Sequence, residues 1–90
     1  MQWLVIEQLG IIQIDRIIAV GYIDSAPIRR LLDLTPIAHI IILTGGQRRQ
    51  SAIILDSGHI ILTAWSVTKL MTELKQAANH HSIININHGP

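Results

Sequence analysis

Apolar residues fall in short runs separated by turn-forming residues along the first two thirds of the chain, and in a helical stripe after that. Residues 2–7, with Trp3, Leu4, Val5 and Ile6, read as a buried first strand that Gly10 interrupts. Residues 11–14 and 17–22 continue as strand, with Asp15-Arg16 as the turn between them. The run Ile17-Ile18-Ala19-Val20 has no polar member, so a cover on both faces is expected.

Asp24-Ser25-Ala26-Pro27 opens a helix. Asp24 or Ser25 can accept the orphan N–H bonds, and Pro27 is tolerated in the first turn. Ile28, Leu31 and Leu32 share one face. Arg29, Arg30 and Asp33 share the other, with Arg29 and Asp33 spaced for an i, i+4 pair. Pro36 ends the helix by Leu34 or Thr35.

Residues 38–44, 51–55 and 59–65 read as a three-strand meander, turned first at Gly45-Gly46-Gln47-Arg48-Arg49-Gln50 and then at Asp56-Ser57-Gly58. Ser66 caps a second helix with Val67, Leu70, Met71, Leu74 and Ala78 as its apolar stripe and Asn79 as its stop. The expectation is one domain over residues 1–79, with 80–90 as a flexible tail. The fold class is α+β: a small, mostly antiparallel sheet with two helices.

Composition changes this picture in one respect. The chain has 90 residues and is 49% hydrophobic, and isoleucine fills about one position in five. Phe is absent, so the core is aliphatic. A chain this short buries a smaller fraction of its surface than a large one, so part of its aliphatic surface is expected in subunit interfaces of a homo-oligomer. The absence of cysteine excludes a disulfide scaffold and thiolate metal sites, and it fits a reducing cytoplasm. No apolar run approaches the ~20 residues of a membrane span, and no basic stretch precedes a hydrophobic segment as in a secretion signal. The formal charge is only +1, so recognition of a polyanion must come from local clustering or from summation over subunits.

The clustering is at Arg48 and Arg49. Two arginines on a glycine-hinged tip stay charged, stand clear of the sheet and bond phosphate bidentately. Gly45 and Gly46 let backbone approach a ligand closely, and Gln47 and Gln50 can donate to phosphate oxygens or read adenine edges. The competing reading is a charged tip that keeps a hairpin soluble. Arg29 and Arg30 read singly as a solvated helical face, and in a ring they could join the tip in one repeating basic band.

Asp56-Ser57-Gly58-His59 contains the residue types of a hydrolase. A nucleophile needs its base within reach and oriented by a third group, which one tight turn rarely supplies, so no catalytic role is assigned. His80, His81 and His88 lack supporting carboxylates and are read as adventitious metal ligands at most. No metal site, cofactor or small-molecule substrate is expected.

Three segments in order resemble the RemA family of small bacterial DNA-binding regulators, which control extracellular-matrix (biofilm) genes. Asp15-Arg16-Ile17-Ile18-Ala19-Val20 is similar to that family's Asn-Arg-Val-Val-Ala-Ile strand. Ser25-Ala26-Pro27-Ile28-Arg29-Arg30 resembles its Ser-Ala-Pro-Ile-Lys-Arg helix start. Residues 52–64, centred on Asp56-Ser57-Gly58-His59, resemble its Val-Ile-Ile-Thr-Asp-Ser-Gly-His-Val-Ile-Leu-Ser-Ala segment. The family's Gly-Arg-Arg-Thr-Arg falls on Gly46, Gln47, Arg48, Arg49 and Gln50, with glutamines replacing two of the three arginines.

The resemblance implies a ring-like homo-oligomer in the cytoplasm that presents basic loops to double-stranded DNA. Arg48 and Arg49 would be the principal contacts, Arg29 and Arg30 secondary ones, and Gly46, Gln47 and Gln50 supporting ones. The alternative is a ring of the same fold that has lost DNA binding and serves as a scaffold or adaptor.

Overall fold

The computed structural model describes the backbone of residues 2–86 and the side chains of residues 2–77. Strands β1 (Trp3–Ile6) and β2 (Gly10–Gln13) form an antiparallel hairpin that pairs Val5 with Ile11 and Leu4 with Ile12. A short 3-10 turn, Ile14–Arg16, leads into β3 (Ile17–Tyr22). Helix α1 (Ala26–Leu34) and a second 3-10 turn, Ile37–His39, precede β4 (Ile40–Leu43). Strands β5 (Ser51–Leu55) and β6 (Ile60–Thr63) lead into α2 (Val67–Ile86). The fold is α+β with two helices, as the periodicity predicts.

The four-stranded sheet has the order β3-β5-β6-β4, antiparallel except that β4 runs parallel to β6. The meander is therefore corrected at its first turn. β4 and β5 are not neighbours, and the segment with Arg48 and Arg49 is a crossover past the end of β6. Local turn signals favour pairing consecutive strands. Two strand spacings are only about 10 Å, which residues 44–50 span easily.

Both faces of the central strands are buried. Ile53 and Ile61 join Leu4, Ile6, Ile12, Trp65 and Leu70 beneath the hairpin and α2. Ala52, Ile60 and Leu62 meet Ile28 of α1 on the other face. The double cover expected at Ile17-Ile18-Ala19-Val20 belongs instead to β5 and β6. β3 is an edge strand whose pairing is irregular between Ile17 and Ala19, and Ile18 is 67% exposed. Where β5 and β6 share a buried polar contact, the Ser51 and Thr63 hydroxyls satisfy each other at 2.7 Å, and the Trp65 N–H donates to Thr63 Oγ1 at 3.1 Å.

α1 docks through a close approach at Gly21. A Cβ there would sit 2.6 Å from Ile28 Cδ1 and 2.7 Å from Cγ1. Gly21→Val is expected to push α1 off the sheet and cost about 1–3 kcal/mol, the range for overpacking a tight contact, measured by urea unfolding.

Three smaller expectations are also corrected. Ser25 stands at the N-cap of α1 with no side-chain cap bond, and its carbonyl accepts the Arg29 N–H at 3.0 Å. Arg16 pairs with Asp56 at 3.1 Å across β3 and β5, and among the described residues this is the one ion pair, so Arg29 and Asp33 do not form theirs. α2 is capped by the Ser66 hydroxyl, which accepts the Lys69 N–H at 3.0 Å, but it runs through Asn79 to Ile86. Asn costs a helix only a fraction of a kcal/mol, and the first strong breaker is Gly89. The expected tail thus begins within α2, and residues 87–90 lie outside the described ones.

Candidate nucleic-acid interface

The arginine segment is tied down at both ends and open between them. Upstream, the Gln47 N–H donates to the Thr44 carbonyl at 3.1 Å, closing a turn through Gly45 (φ 61°) and Gly46 (φ 84°). Positive φ at two consecutive residues is strained for most side chains and free for glycine. Downstream, the Gln50 N–H donates to Thr63 at 2.8 Å and its carbonyl accepts from Ile23 at 3.0 Å. Arg48 and Arg49 lie between these anchors, exposed and outside any helix or strand.

The crossover sets their surroundings. Because β3 pairs with β5, Tyr22 stands opposite Ser51 at the base of the arginine segment. One groove is lined by Tyr22, Ile23, Asp24, Arg48, Arg49 and Gln50. An adjoining one adds Arg29, Leu32 and Asp33 around the same two arginines. The fold thus gathers Arg29, Arg48, Arg49 and Gln50 in one place. Arg30 is exposed on α1 but lines neither groove, and Gly46 has open space where a Cβ would project. Gln47 lines a different groove, with Glu7, Gln8, Leu9, Thr44 and Gly45. Sequence reasoning missed Tyr22, Asp24 and Asp33 as groove residues. The signal for Tyr22 and Asp24 is the β3–β5 pairing, which the assumed meander hid, and the signal for Asp33 is its i, i+4 spacing from Arg29.

The β1–β2 turn braces the segment at that groove. Glu7 holds a left-handed conformation, φ 50°, which is uncommon outside glycine, and its Oε1 accepts the Trp65 Nε1–H at 3.3 Å. Lys69 Nζ lies 4.8 Å from the centroid of the Trp65 ring. The turn carries Leu9 to the arginine segment, where a Cβ on Gly45 would meet Leu9 Cδ1 at 3.5 Å. Leu9→Ala is expected to loosen the segment. The fold should lose about 1 kcal/mol, below the range for a fully buried leucine because Leu9 is part-exposed, while DNA affinity drops several-fold. Thermal melting and a DNA titration check the two together.

At the Asp56 turn, Ser57 Oγ lies 2.7 Å from His59 Nδ1, a closer nucleophile–base contact than the sequence led us to expect. Asp56 is committed to Arg16, and the neighbour of the His59 ring is His39, at 4.7 Å between centroids. Among the described residues no carboxylate is hydrogen-bonded to the imidazole. The side chains of His80 and His81, and all of His88, lie outside the described residues. No helix among the described residues is long and apolar enough to cross a membrane.

The chain is α+β and carries two arginines on a crossover whose grooves also hold Arg29. Comparison with known proteins places it more closely. Residues 6–74 match the RemA-like family, described as extracellular matrix regulatory protein A-like. The chain belongs to the RemA-like family.

A Nostoc punctiforme relative is 30% identical over 77 residues, covering 84% of this chain and 88% of the relative. A Trichormus variabilis relative is 32% identical over the same shares. A Synechococcus elongatus relative is 43% identical over 51 residues, or 56% of this chain, and the match spans 59% of that relative's length. All three carry the name "Putative regulatory protein".

Proposed function

We propose that this protein is an oligomeric DNA-binding regulator that grips the phosphate backbone through arginine grooves repeated around a homo-oligomer. The observation that carries the reading is the convergence of Arg29, Arg48 and Arg49 on adjoining grooves from two distant parts of the chain. Guanidinium forks that are exposed and not committed to carboxylates are available to phosphate oxygens. Gln50 on the same groove supplies a further donor, and the exposed Tyr22 ring supplies a flat apolar surface. Contacts of this kind read backbone and bendability more than base sequence.

Self-assembly is supported by apolar surface that the single chain leaves open. Trp3, Val5 and Ile11 line the outer face of the hairpin while Leu4, Ile6 and Ile12 fill the core. Leu34 is 78% exposed and Ile37 88% exposed, in the segment that leads into the edge strand β4. Two separate apolar patches on one chain suit head-to-tail contacts, which close into a ring when the rotation between subunits closes. Repetition also solves the charge problem, since a protomer of net charge +1 gains a strong field only by summation.

The alternative, a ring scaffold without DNA affinity, is favoured by one observation: Asp24 and Asp33 lie in the same grooves as the arginines. Fluorescence anisotropy of a labelled duplex at low salt separates the two. Saturable binding by the assembled protein supports the regulator. No binding by an assembled, folded protein supports the scaffold.

A further inference from the structure

Asp24 and Asp33 are the least expected members of the groove. Both are exposed, and both line it together with Arg29, Arg48 and Arg49. Neither is held there by a visible structural duty. Arg16 and Asp56 form the one ion pair among the described residues, so neither groove carboxylate is neutralised by an arginine within pairing distance. Asp24 precedes the N-cap of α1, and that cap position carries no side-chain bond. Asp33 sits at i+4 from Arg29 on the exposed side of α1 without pairing to it.

We infer that Asp24 and Asp33 act as an electrostatic brake on the arginine groove, keeping each subunit's hold on phosphate weak so that DNA is retained only where several subunits engage it together. This rests on the DNA-binding reading above and adds its regulation. Three guanidinium groups and two carboxylates leave a groove with a net excess of one positive charge. A phosphate entering it is attracted by the arginines and repelled by the two aspartates. In water a unit charge about 7 Å away alters binding roughly threefold, so two of them alter it by up to about tenfold per subunit. Linked sites multiply such factors, which turns a modest penalty per groove into a threshold set by the number of grooves engaged. The brake is a matter of charge, so it weakens as salt screens it.

The test compares wild type with Asp24→Asn/Asp33→Asn by anisotropy of a duplex at stepped salt, with mass photometry to hold assembly constant. The expected result is at least tenfold tighter binding at low salt, with a gain that shrinks as salt rises. Each single variant should give at least about threefold, and less than the double variant. Asp24→Glu/Asp33→Glu keeps the charges and should stay within about twofold of wild type. Asp15→Asn removes a carboxylate at the opposite end of β3, roughly 17 Å along the strand, and should give a clearly smaller gain that vanishes at about 0.1 M salt, where the screening length is only about 10 Å.

Equal or weaker binding by the double asparagine variant overturns the brake, as does an equal gain from Asp15→Asn. If wild type binds and the asparagines do not tighten it, the brake falls alone and the DNA reading stands. If neither protein binds at low salt, both fall. If only the asparagine variant binds, the brake is supported and the wild-type groove is held closed to DNA by its own carboxylates.

Discussion

Alanine at both Arg48 and Arg49 is expected to lower affinity for duplex DNA by at least a hundredfold near physiological salt while leaving the fold and the assembly intact. Both side chains are exposed on a segment whose backbone is anchored elsewhere, at Thr44 upstream and through Thr63 and Ile23 at Gln50. Neither contributes to the two core clusters. Their removal therefore acts on the ligand and not on the protein. Each lost phosphate contact should also flatten the slope of log K against log salt by about 0.9, and the loss recurs at every subunit that touches DNA. Anisotropy titrations at several salt concentrations measure both effects. Unchanged affinity in an assembled variant would remove the arginine segment from the interface.

The second large effect concerns assembly. Leu34→Glu/Ile37→Glu is expected to reduce the oligomer to a folded protomer of 10.0 kDa and to abolish DNA binding with it. At 78% and 88% exposure these side chains lie outside the core, so a charge there costs the isolated chain little. In an apolar contact between subunits the same charges would be buried without partners, at several kcal/mol each. The grooves would be intact yet single, and one groove with three arginines and two aspartates holds DNA weakly. Mass photometry with circular dichroism separates loss of assembly from loss of fold. An oligomer of unchanged mass would place the subunit contacts elsewhere on the chain.

The elements were largely legible in the sequence because each carries its own local signal. β-branched runs bounded by Gly and Asp marked β3, β5 and β6, and Ser66 marked the start of α2, where its hydroxyl indeed caps Lys69. Their arrangement was less legible. Whether β4 pairs with β5 or passes beyond β6 depends on which apolar faces the finished sheet must cover, and no turn residue encodes that. Both geometries tolerate the Gly45-Gly46 reversal. The site inherited the same limit. Arg48 and Arg49 stood out as adjacent charges between strands, whereas Tyr22 and Asp24 reach them only through the β3–β5 register. Arg29 and Arg30 were indistinguishable in sequence. Helix phase turns one towards the groove and the other away from it. The end of α2 was misjudged because Asn is a weak terminator, and a helix already nucleated passes through one.

The most direct test of repeated grooves acting together is the salt dependence of duplex binding by the wild-type protein, set beside its mass in the same buffer. A single groove can neutralise only a few phosphates, for a log–log slope of about −0.9 each. If the grooves act together, the assembly has several times the protomer's mass and a slope several-fold steeper than one groove can give. A slope of one or two from an intact assembly, or no salt dependence at all, would contradict joint action of the grooves.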